Sequence, residues 1–526
     1  MKNTLKAIFT FAVASVIAVS CTKNFENINR DINNPSSEQM AQDGLAVGGM
    51  FQALQRSVFA YDESRDSDYQ IAYNLCADTW SGYSTPIEAF GAGHFHDAWD
   101  FYDQWCRSLW NFKNMQTLGS YNKFEAQAQE LNMSNELALA TIIKVASMHQ
   151  MTDYYGPIAY TTSGNLKNNY DPQDVVYEQF FKELDASIET LEAICGTGAK
   201  IMAAYDQVYN GDVQKWVKFA NSLRLRLAMR IRYADPELAR TEAEKSINSP
   251  VGVIESNADN AVFADNGKPH FLVNIITFNK GGDAALGASL ECYLNGYDDP
   301  RKFKYGLPAG DGKLHGVRPG IKVSNYTDYK HVANKVSTFN ADAFKITWQN
   351  AAEVAFLRAE GALAGWNMGG TAKDFYEEGI KLSFEEWGAD GAAAYITNKT
   401  AKPAEYKAAV GKMTVAAPSD ITIAWNEQNS AERNLERIAV QKWLAIFPNG
   451  AEAWAEQRRL HYPVLIEPAR NLSNDTVKSS QGARRVPYPE SESITNPEGY
   501  ASGLEALGGA DNAGTRLWWD QKPFNK

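Results

Sequence analysis

Cysteine is scarce in this chain, which has five in 526 residues, no two of them in a C-x-x-C pair. Such wide spacing excludes a zinc-ribbon pattern and a dense disulfide framework. Four of the five are predicted to be free thiols in the protein interior. They are Cys76, Cys106, Cys195 and Cys292.

Basic residues are also in short supply, with 51 Lys and Arg against 63 Asp and Glu. The formal net charge is −12 and the sequence pI is about 5.3. Because a protein that binds a phosphate backbone needs a basic face, this balance excludes nucleic acid as an expected partner.

Signatures of catalysis are missing as well: no G-x-S-x-G, H-E-x-x-H or P-loop motif occurs. Acid pairs such as Glu385–Glu386 are too common to indicate glycoside hydrolysis, which needs two carboxylates at a defined separation. His94-x-His96 has no recognisable third metal ligand, and the acidic run from Asp62 to Asp68 is more typical of a solvated face than of a calcium site. The sequence therefore predicts no enzyme, no bound metal and no cofactor.

Long apolar runs are confined to the first twenty residues; no later window is apolar enough to span a membrane. Lys2 and Lys6 precede an uncharged stretch from Ala7 to Val19, which ends at Ser20-Cys21. This pattern predicts a lipoprotein signal peptide, cut before Cys21, whose thiol and new amine are acylated. Since each buried methylene contributes about 0.8 kcal/mol, several acyl chains would anchor the protein stably. The alternative is an ordinary secretory signal with a chance cysteine.

The rest of the chain divides into a polar, Asn-rich tether over residues 21–40 and one predicted domain over residues 41–526. Residues 135–153 are apolar nearly all round, as in a buried helix. Asp171-Pro172 predicts the start of another helix, with the aspartate as its cap. Residues 212–233 predict a third helix, in which arginines between the apolar positions form a charged face. These arginines are Arg224, Arg226, Arg230 and Arg232.

Two helix pairs are predicted further along. Residues 350–388 give two apolar stripes joined by Gly369-Gly370, with the length of a tetratricopeptide unit but without its W-x2-L-G-x2-Y signature. A second pair covers 435–460, and Asn449-Gly450 predicts a left-handed helix stop within it. We therefore predict an all-α fold, a tetratricopeptide-like helix-pair scaffold with long irregular loops. These loops span roughly 78–98, 255–350, 389–430 and 461–526.

Aromatic residues make up 12% of the chain, and those in loops are candidates for ligand binding. Sugars present apolar C–H faces and hydroxyl edges, which flat rings flanked by polar groups can bind. The densest such loop runs from Trp80 to Asp97, and its ligand candidates are Trp80, Tyr83, Phe95 and His96. Trp99, Tyr102 and Trp105 follow at a spacing of three, which predicts one helix face in the core.

A second candidate loop covers residues 266–282, where aromatic residues again alternate with glycine and polar groups. Its ligand candidates are His270, Phe271 and Phe278. Tyr326, Tyr329 and Trp348 rank below them.

Short motifs in a fixed order carry a resemblance that extends over most of the chain. They are Phe25-Glu26, Asn34-Pro35, Thr152-Asp153-Tyr154-Tyr155-Gly156-Pro157, Lys215-Trp216, Asp299-Pro300-Arg301, Gly316-Val317-Arg318-Pro319-Gly320, Ala352-Glu353-Val354, Gln441-Lys442-Trp443, Glu452-Ala453-Trp454, Arg484-Arg485-Val486-Pro487-Tyr488-Pro489 and Trp518-Trp519-Asp520. With Cys21 ahead of them, they resemble the SusD/RagB-like nutrient-binding outer-membrane lipoproteins, in particular the SusD-like branch 2.

The resemblance implies a lipoprotein held at the outer membrane by Cys21 and facing the exterior. It further implies a partnership with a SusC-like TonB-dependent transporter, which the protein covers as a hinged lid. Family members bind oligosaccharides or peptides and are not enzymes. Two other classes stay open: a surface glycoside hydrolase or other degradative lipoprotein, and a structural or adhesion protein.

Overall fold

Helices are the main elements of the protein in its computed structural model. The structure describes residues 45–60, 67–88, 90, 93–161, 169–278, 282–322, 326–330 and 333–524. The predicted signal peptide, Cys21, the tether over 21–40 and most of the acidic run after Asp62 lie outside the described residues.

The longer helices in the described part of the chain carry most of the buried apolar side chains. They are α1 (Gly48–Arg56), α2 (Gln70–Asp78, π-helical), α3 (Asp103–Phe112), α4 (Gly119–Glu130), α5 (Ser134–Tyr155), α6 (Gln173–Glu192), α7 (Val213–Arg230), α8 (Pro236–Ile247), α9 (Ala288–Gly296), α10 (Ala351–Leu363), α11 (Ala372–Glu386), α12 (Ala431–Ala445), α13 (Gly450–Leu460) and α14 (Pro497–Leu507). Shorter helical segments are Ser67–Tyr69, Lys113–Leu118, Leu272–Ile275, Lys302–Tyr305, Ala392–Ile396 and Glu492–Thr495.

Short strands pair two by two between the helices. They are β1 (Ser84–Pro86), β2 (Ala261–Phe263), β3 (Ala284–Leu286), β4 (Gly306–Leu307), β5 (Thr338–Phe339), β6 (Ile346–Gln349), β7 (Tyr406–Lys407) and β8 (Thr414–Val415). The pairs β1–β3, β2–β6, β4–β5 and β7–β8 are all antiparallel, and β1–β3 places Ser84 opposite Leu286. Each pair joins two segments of the long loops, so these loops have more local structure than their composition indicates.

Sequential helices pack against each other as pairs: α5 on α6, α7 on α8, α10 on α11, and α12 on α13. The prediction of an all-α, helix-pair scaffold is therefore confirmed. The helix predicted over 135–153 is α5, whose middle is buried on all sides. The two predicted pairs over 350–388 and 435–460 are α10–α11 and α12–α13.

Two predicted helix boundaries are wrong in their details. Asp171 does not cap α6, because the N-cap position belongs to Pro172. The Asp171 carboxylate instead accepts hydrogen bonds from the backbone N–H groups of Tyr160 and Thr161, at 2.9 and 2.8 Å. Asn449-Gly450 is not a left-handed stop either: the Asn449 side chain accepts a hydrogen bond from Glu452 and caps the start of α13.

Three of the four arginines predicted to form a charged face are buried in α7, which corrects that prediction; the fourth, Arg232, lies beyond α7 and is partly exposed. Arg224, Arg226 and Arg230 are 2%, 4% and 0% exposed. They are tolerated because acids from other elements reach them: Arg226 donates two hydrogen bonds to Glu353, and Arg230 lies 2.6 Å from Glu452. A buried charge needs such a partner, since desolvation alone is costly.

Cys76, Cys106 and Cys292 are free and buried as predicted, whereas Cys195 is only partly buried. Trp99, Tyr102 and Trp105 do not share a helix face, because α3 begins at Asp103. Trp99 has a left-handed backbone with φ of 64° and ends a short 3-10 turn instead.

Candidate functional site

Three loop segments meet where the β1–β3 ladder ends. The backbone N–H of Ile87 donates to Asp283 O at 2.8 Å and extends the ladder by one residue. The Thr85 hydroxyl donates to Val317 O at 2.7 Å, which brings in the segment from 317 to 322. The first candidate loop, 80–97, is thereby joined to Asp283, the residue directly after the second candidate loop, 266–282, and to a third segment. We call this region, residues 87–88, 90, 93–97, 282–283, 317–322 and 326–330, the loop face.

A buried lysine ties the loop face together. The Lys330 ammonium donates to Gly282 O at 2.6 Å and pairs with the Glu88 carboxylate. Asp283 lies 3.9 Å from the same nitrogen, and its carboxylate also accepts a hydrogen bond from Gln70. The charge of Lys330 is therefore compensated by two acids from different loops, and it holds the two candidate loops at a fixed distance.

Phe95 is the predicted ligand residue that the fold leaves partly exposed within this region. The guanidinium of Arg470 lies 5.0 Å from its ring centroid, within the range of a cation–π contact. Arg470 is itself fixed, because it donates to Gly320 O at 2.8 Å and to Ile321 O at 3.2 Å. An aromatic ring is thus presented in one orientation, next to a cation.

Asp97 anchors the segment under Phe95. Its carboxylate accepts a hydrogen bond from the Gly320 N–H at 2.6 Å. Burial raises the pKa of Asp97, while that hydrogen bond and the nearby Arg470 act in the opposite direction. Gly320 has φ of +71°, and a Cβ at this position would lie 3.1 Å from the backbone nitrogen of Ala469, so a side chain here would be strained.

Arg470 also lines a cavity of about 290 Å³, whereas Phe95 itself lines a smaller cavity of about 20 Å³ with His96 and Asp97. In the larger cavity, Tyr329 and Tyr406 supply aromatic surface, Lys322 and Arg470 supply cations, and the hairpin residues 408–413 close one side. This size is close to the lower end for ligand sites, which are about 300–1,000 Å³. Apolar rings beside hydrogen-bond donors can bind a sugar chain or a peptide backbone.

Trp80 and Tyr83 lie beneath the loop face as packed core residues, 4% and 1% exposed. The Trp80 indole donates to His96 O at 3.0 Å, and the Tyr83 hydroxyl donates to Trp443 O at 2.5 Å. Trp80 also packs on Trp454 with ring centroids 4.8 Å apart. Their polar groups are already engaged, so they position the loop, and ligand contact by them stays a prediction.

His96 is buried and neutral at physiological pH. Burial lowers its pKa to about 3, and the nearby His94 acts in the same direction. Its Nε2 accepts a hydrogen bond from the Tyr102 N–H at 2.9 Å, whereas His94 pairs with Asp100 at 3.1 Å. Among the described residues, no three His, Cys, Asp or Glu side chains are grouped as metal ligands.

The residues predicted from the second loop fall in a different environment. His270 and Phe271 line a small cavity of about 60 Å³ together with Trp348 and Phe447. Burial lowers the pKa of His270 to about 3. Phe271 packs on Tyr69 at 4.8 Å between ring centroids.

Phe278 is partly exposed and is the last described residue before a gap in the description at 279–281. The fold therefore pairs Trp80 with His96, and His270 with Phe271, but it does not bring these two pairs together. Ligand contact by these residues stays a prediction.

Sequence reasoning missed Arg470, Lys330 and Tyr406 and ranked Tyr329 low. Arg470 and Tyr406 lie far along the chain from the loops that they contact, so no local pattern connects them. A buried lysine such as Lys330 is also indistinguishable in sequence from a surface one. The one signal available was the aromatic pair Tyr326 and Tyr329 within a Gly- and Asn-containing segment.

The family model for SusD-like proteins, described as Susd and RagB outer membrane lipoprotein, matches residues 27–520. The chain belongs to the SusD-like family. The family resemblance carried by the sequence motifs is confirmed. None of the curated proteins compared with the chain matches it.

Solved structures of other SusD-like proteins agree with this assignment over nearly the whole chain. A chitin-binding SusD homologue from Flavobacterium johnsoniae is 35% identical, with a TM-score of 0.86, covering 90% of this chain and 98% of its own. A SusD homologue from Bacteroides uniformis is 39% identical, with a TM-score of 0.84 and coverages of 91% and 99%. A third, from Bacteroides vulgatus, is 33% identical, with a TM-score of 0.85 and coverages of 92% and 99%.

The SusD-like family is one of outer-membrane lipoproteins. Within the described ranges, none of the helices has both the length and the apolar character needed to cross a membrane. Cys21, the predicted lipid anchor, precedes both the described residues and the family match.

Proposed function

We propose that this SusD-like protein binds a nutrient glycan on the loop face and passes it to a membrane transporter. The relative from Flavobacterium johnsoniae, 35% identical over nearly its full length, is described as chitin-binding, and this similarity carries the proposal. The loop face adds a partly exposed ring at Phe95 beside Arg470 and an aromatic-lined cavity of about 290 Å³. Peptides are the alternative ligand, since tyrosine and arginine bind peptide backbones as well.

The partner in this proposal is a SusC-like TonB-dependent transporter of the outer membrane. The protein would be anchored through acylated Cys21, face the exterior and close over the transporter as a lid, with the ligand held between them. Family membership over residues 27–520 supports this arrangement. The protein would bind and release its ligand unchanged, because no catalytic residues were identified in its sequence.

Calorimetry of residues 22–526 tests ligand binding directly. The titrants are chito-oligosaccharides, malto-oligosaccharides and mixed-sequence peptides, and chromatography then examines each recovered ligand. We expect saturable binding of one glycan series with intact recovery. Phe95→Ala should weaken it about tenfold or more, because a stacked ring is removed.

Phe303→Ala is the matched control, since it removes a ring that is 43% exposed outside the loop face. It should leave affinity unchanged. Equal losses in both variants would contradict the loop face as the site. Ligand shortened in proportion to protein concentration would instead support the glycoside hydrolase alternative.

The anchor and the partner are tested together in a native outer membrane. Wild-type protein should incorporate radiolabelled palmitate and co-purify with a large β-barrel protein after detergent extraction. Cys21→Ser should lose the label. If the labelled protein never co-purifies with a barrel protein, the proposal of a lipid anchor stands and the proposal of a lid over the transporter is refuted.

A further inference from the structure

In the described part of the chain, the cavity of about 290 Å³ at the loop face is lined by three bases and by no acid. The bases are Lys322, Lys412 and Arg470, which come from three separate segments. The other lining residues are uncharged. We call this space the basic cavity. Its lining is unexpected, because the chain as a whole has a formal net charge of −12.

The three bases have no carboxylate partner among the described residues. Arg470 donates hydrogen bonds to the carbonyl oxygens of Gly320 and Ile321, at 2.8 and 3.2 Å, and its Nη1 group makes none to a described residue. Lys322 and Lys412 are exposed, and neither has an ion pair or a hydrogen bond with a described residue. Such groups can bind an anion without breaking an existing ion pair.

A fourth base, Arg318, lies beside the cavity wall. Its guanidinium donates to the carbonyl oxygens of Glu467 and Pro468, at 2.8 and 3.4 Å. Its Nη1 also lies 3.4 Å from the sulfur of Met413, which lines the cavity. All three partners are uncharged atoms, so the charge of Arg318 adds to the positive potential of the cavity.

Acids beneath the cavity add little negative charge to it. Glu291 accepts a hydrogen bond at 2.8 Å from the backbone N–H of Gly316, which lines the cavity. Burial raises the pKa of Glu291 to about 8, so its carboxyl group is mostly protonated at pH 7. Asp97 is buried and accepts a hydrogen bond from the N–H of Gly320, and burial raises its pKa as well.

Exposed acids on the adjoining segments are paired with lysines or line a different cavity. Glu405 lies 2.5 Å from Lys407, and Asp328 lies 2.7 Å from Lys335. Glu467 is exposed but lines a neighbouring cavity of about 280 Å³ and not this one. The basic cavity therefore keeps an excess of positive charge within an acidic protein.

The floor of the basic cavity is apolar. Ile321, Tyr329 and Val410 pack on a buried cluster that includes Val317 and Val336. An apolar floor with bases at its rim fits a ring that has a C–H face and also carries a carboxylate. The planar guanidinium at the rim matches the two oxygens of a carboxylate.

We propose that the basic cavity binds the carboxylate of a uronic acid ring, so that the protein takes acidic glycans in preference to neutral ones. Arg470, Lys322 and Lys412 are the specificity-determining residues. This inference rests on the proposed function, since it keeps the loop face as the glycan site and adds the charge of the ligand. A neutral sugar would leave the positive charge of the cavity uncompensated.

The test compares acids with their own methyl esters, which keep the sugar rings and remove the charge. Calorimetry of residues 22–526 uses trisaccharides of galacturonic, glucuronic and mannuronic acid and the methyl ester of each. One of the acids should bind at least about tenfold more tightly than its ester, as expected for a charge-assisted hydrogen bond. Its affinity should fall as sodium chloride is added, because salt screens exposed charges.

Two variants test the bases. Arg470→Gln should weaken binding of the acid about tenfold, as for loss of one charge-assisted hydrogen bond. The double variant Lys322→Gln/Lys412→Gln should weaken it about fivefold, since exposed charges interact less strongly. Both should leave the affinity for the methyl ester unchanged. The matched control, Lys123→Gln/Lys399→Gln, removes two exposed lysine charges outside the cavity lining and should bind the acid as the wild type does.

Circular dichroism verifies folding, and the double lysine variant decides the matter if Arg470→Gln does not fold. Equal affinity for acid and ester would overturn the inference and leave the proposed function standing, as would acid binding that the cavity variants do not alter. Binding of neutral oligosaccharides alone would do the same. Failure of every glycan to bind would reject the proposed function too. Tighter binding of pentaglutamate than of any uronate would overturn the inference in favour of an acidic peptide.

Discussion

Buried charged side chains distinguish this protein at the scale of single residues. Arg230 is fully buried and lies 2.6 Å from Glu452, 3.4 Å from Glu456 and 3.8 Å from Asp153. Lys442 pairs with the same two glutamates, at 3.1 and 3.0 Å. Acids and bases from α5, α7, α12 and α13 thus neutralise each other in the interior, and each depends on partners from other helices.

Arg230→Met should destabilise the protein by about 3–5 kcal/mol, because it leaves buried acids without a compensating charge. Urea unfolding at pH 7 measures the loss. Arg240→Met is the matched control: Arg240 is 56% exposed and pairs with Glu244 at 2.8 Å on the surface of α8. That variant should cost less than about 1 kcal/mol. A similar cost for both would show that burial of the network adds nothing.

At the scale of the secondary-structure element, the main feature is the close contact between helices α10 and α11. Gly379 of α11 faces Phe356 of α10, and a Cβ at Gly379 would lie only 2.7 Å from the ring. Phe356 is fully buried and cannot move aside into solvent. Glycine in a helix interior costs about 1 kcal/mol relative to alanine, and here it allows the pair to pack closely.

Gly379→Ala should therefore destabilise the protein, because overpacking costs about 1–3 kcal/mol and exceeds the gain in helix propensity. Thermal unfolding gives the sign of the change. Gly49→Ala in α1 is the control, since no atom lies within 4 Å of its added Cβ. It should be neutral or stabilising by up to about 1 kcal/mol. Stabilisation by both substitutions would mean that the α10–α11 contact relaxes freely.

The stability of the whole molecule depends on pH through buried carboxyl groups. Burial raises the pKa of Asp78 to about 7, although Asn74 and Tyr69 donate hydrogen bonds to its carboxylate. The folded protein therefore retains a proton that the unfolded chain loses near its ordinary pKa of about 3.9. The free energy of unfolding should fall as pH rises from about 4 to about 7, and this contribution should level off above that range.

Asp78→Asn should flatten this pH dependence, because the amide does not titrate. The measurement is urea unfolding at intervals from pH 4 to pH 8. Some slope should remain, since burial also raises the pKa of Glu291, to about 8. Asp390→Asn, at an exposed position, should leave the wild-type slope unchanged. An unaltered slope in Asp78→Asn would show that Asp78 is ionised in the folded protein.

Much of the fold was predictable because helix periodicity is a local property. The apolar run of α5 and the stripes of α10 and α11 were found within short windows of sequence. Helix starts were less predictable. Asp171 and Asn449 are both of residue types that cap helices, but Asp171 instead accepts hydrogen bonds from the backbone at 160–161, and Asn449 caps the helix that follows it. The candidate loops were located, whereas Arg470, which fixes Phe95, was not.

The sequence by itself determined the helical class, the acidic charge and the family, because each is written in composition, period or motif order. Only the tertiary structure decided which polar and aromatic side chains are buried. Trp443 covers Tyr83 from a position 360 residues along the chain, and Glu452 meets Arg230 across 222 residues. Burial depends on such distant segments, and a window of neighbouring residues contains no record of them.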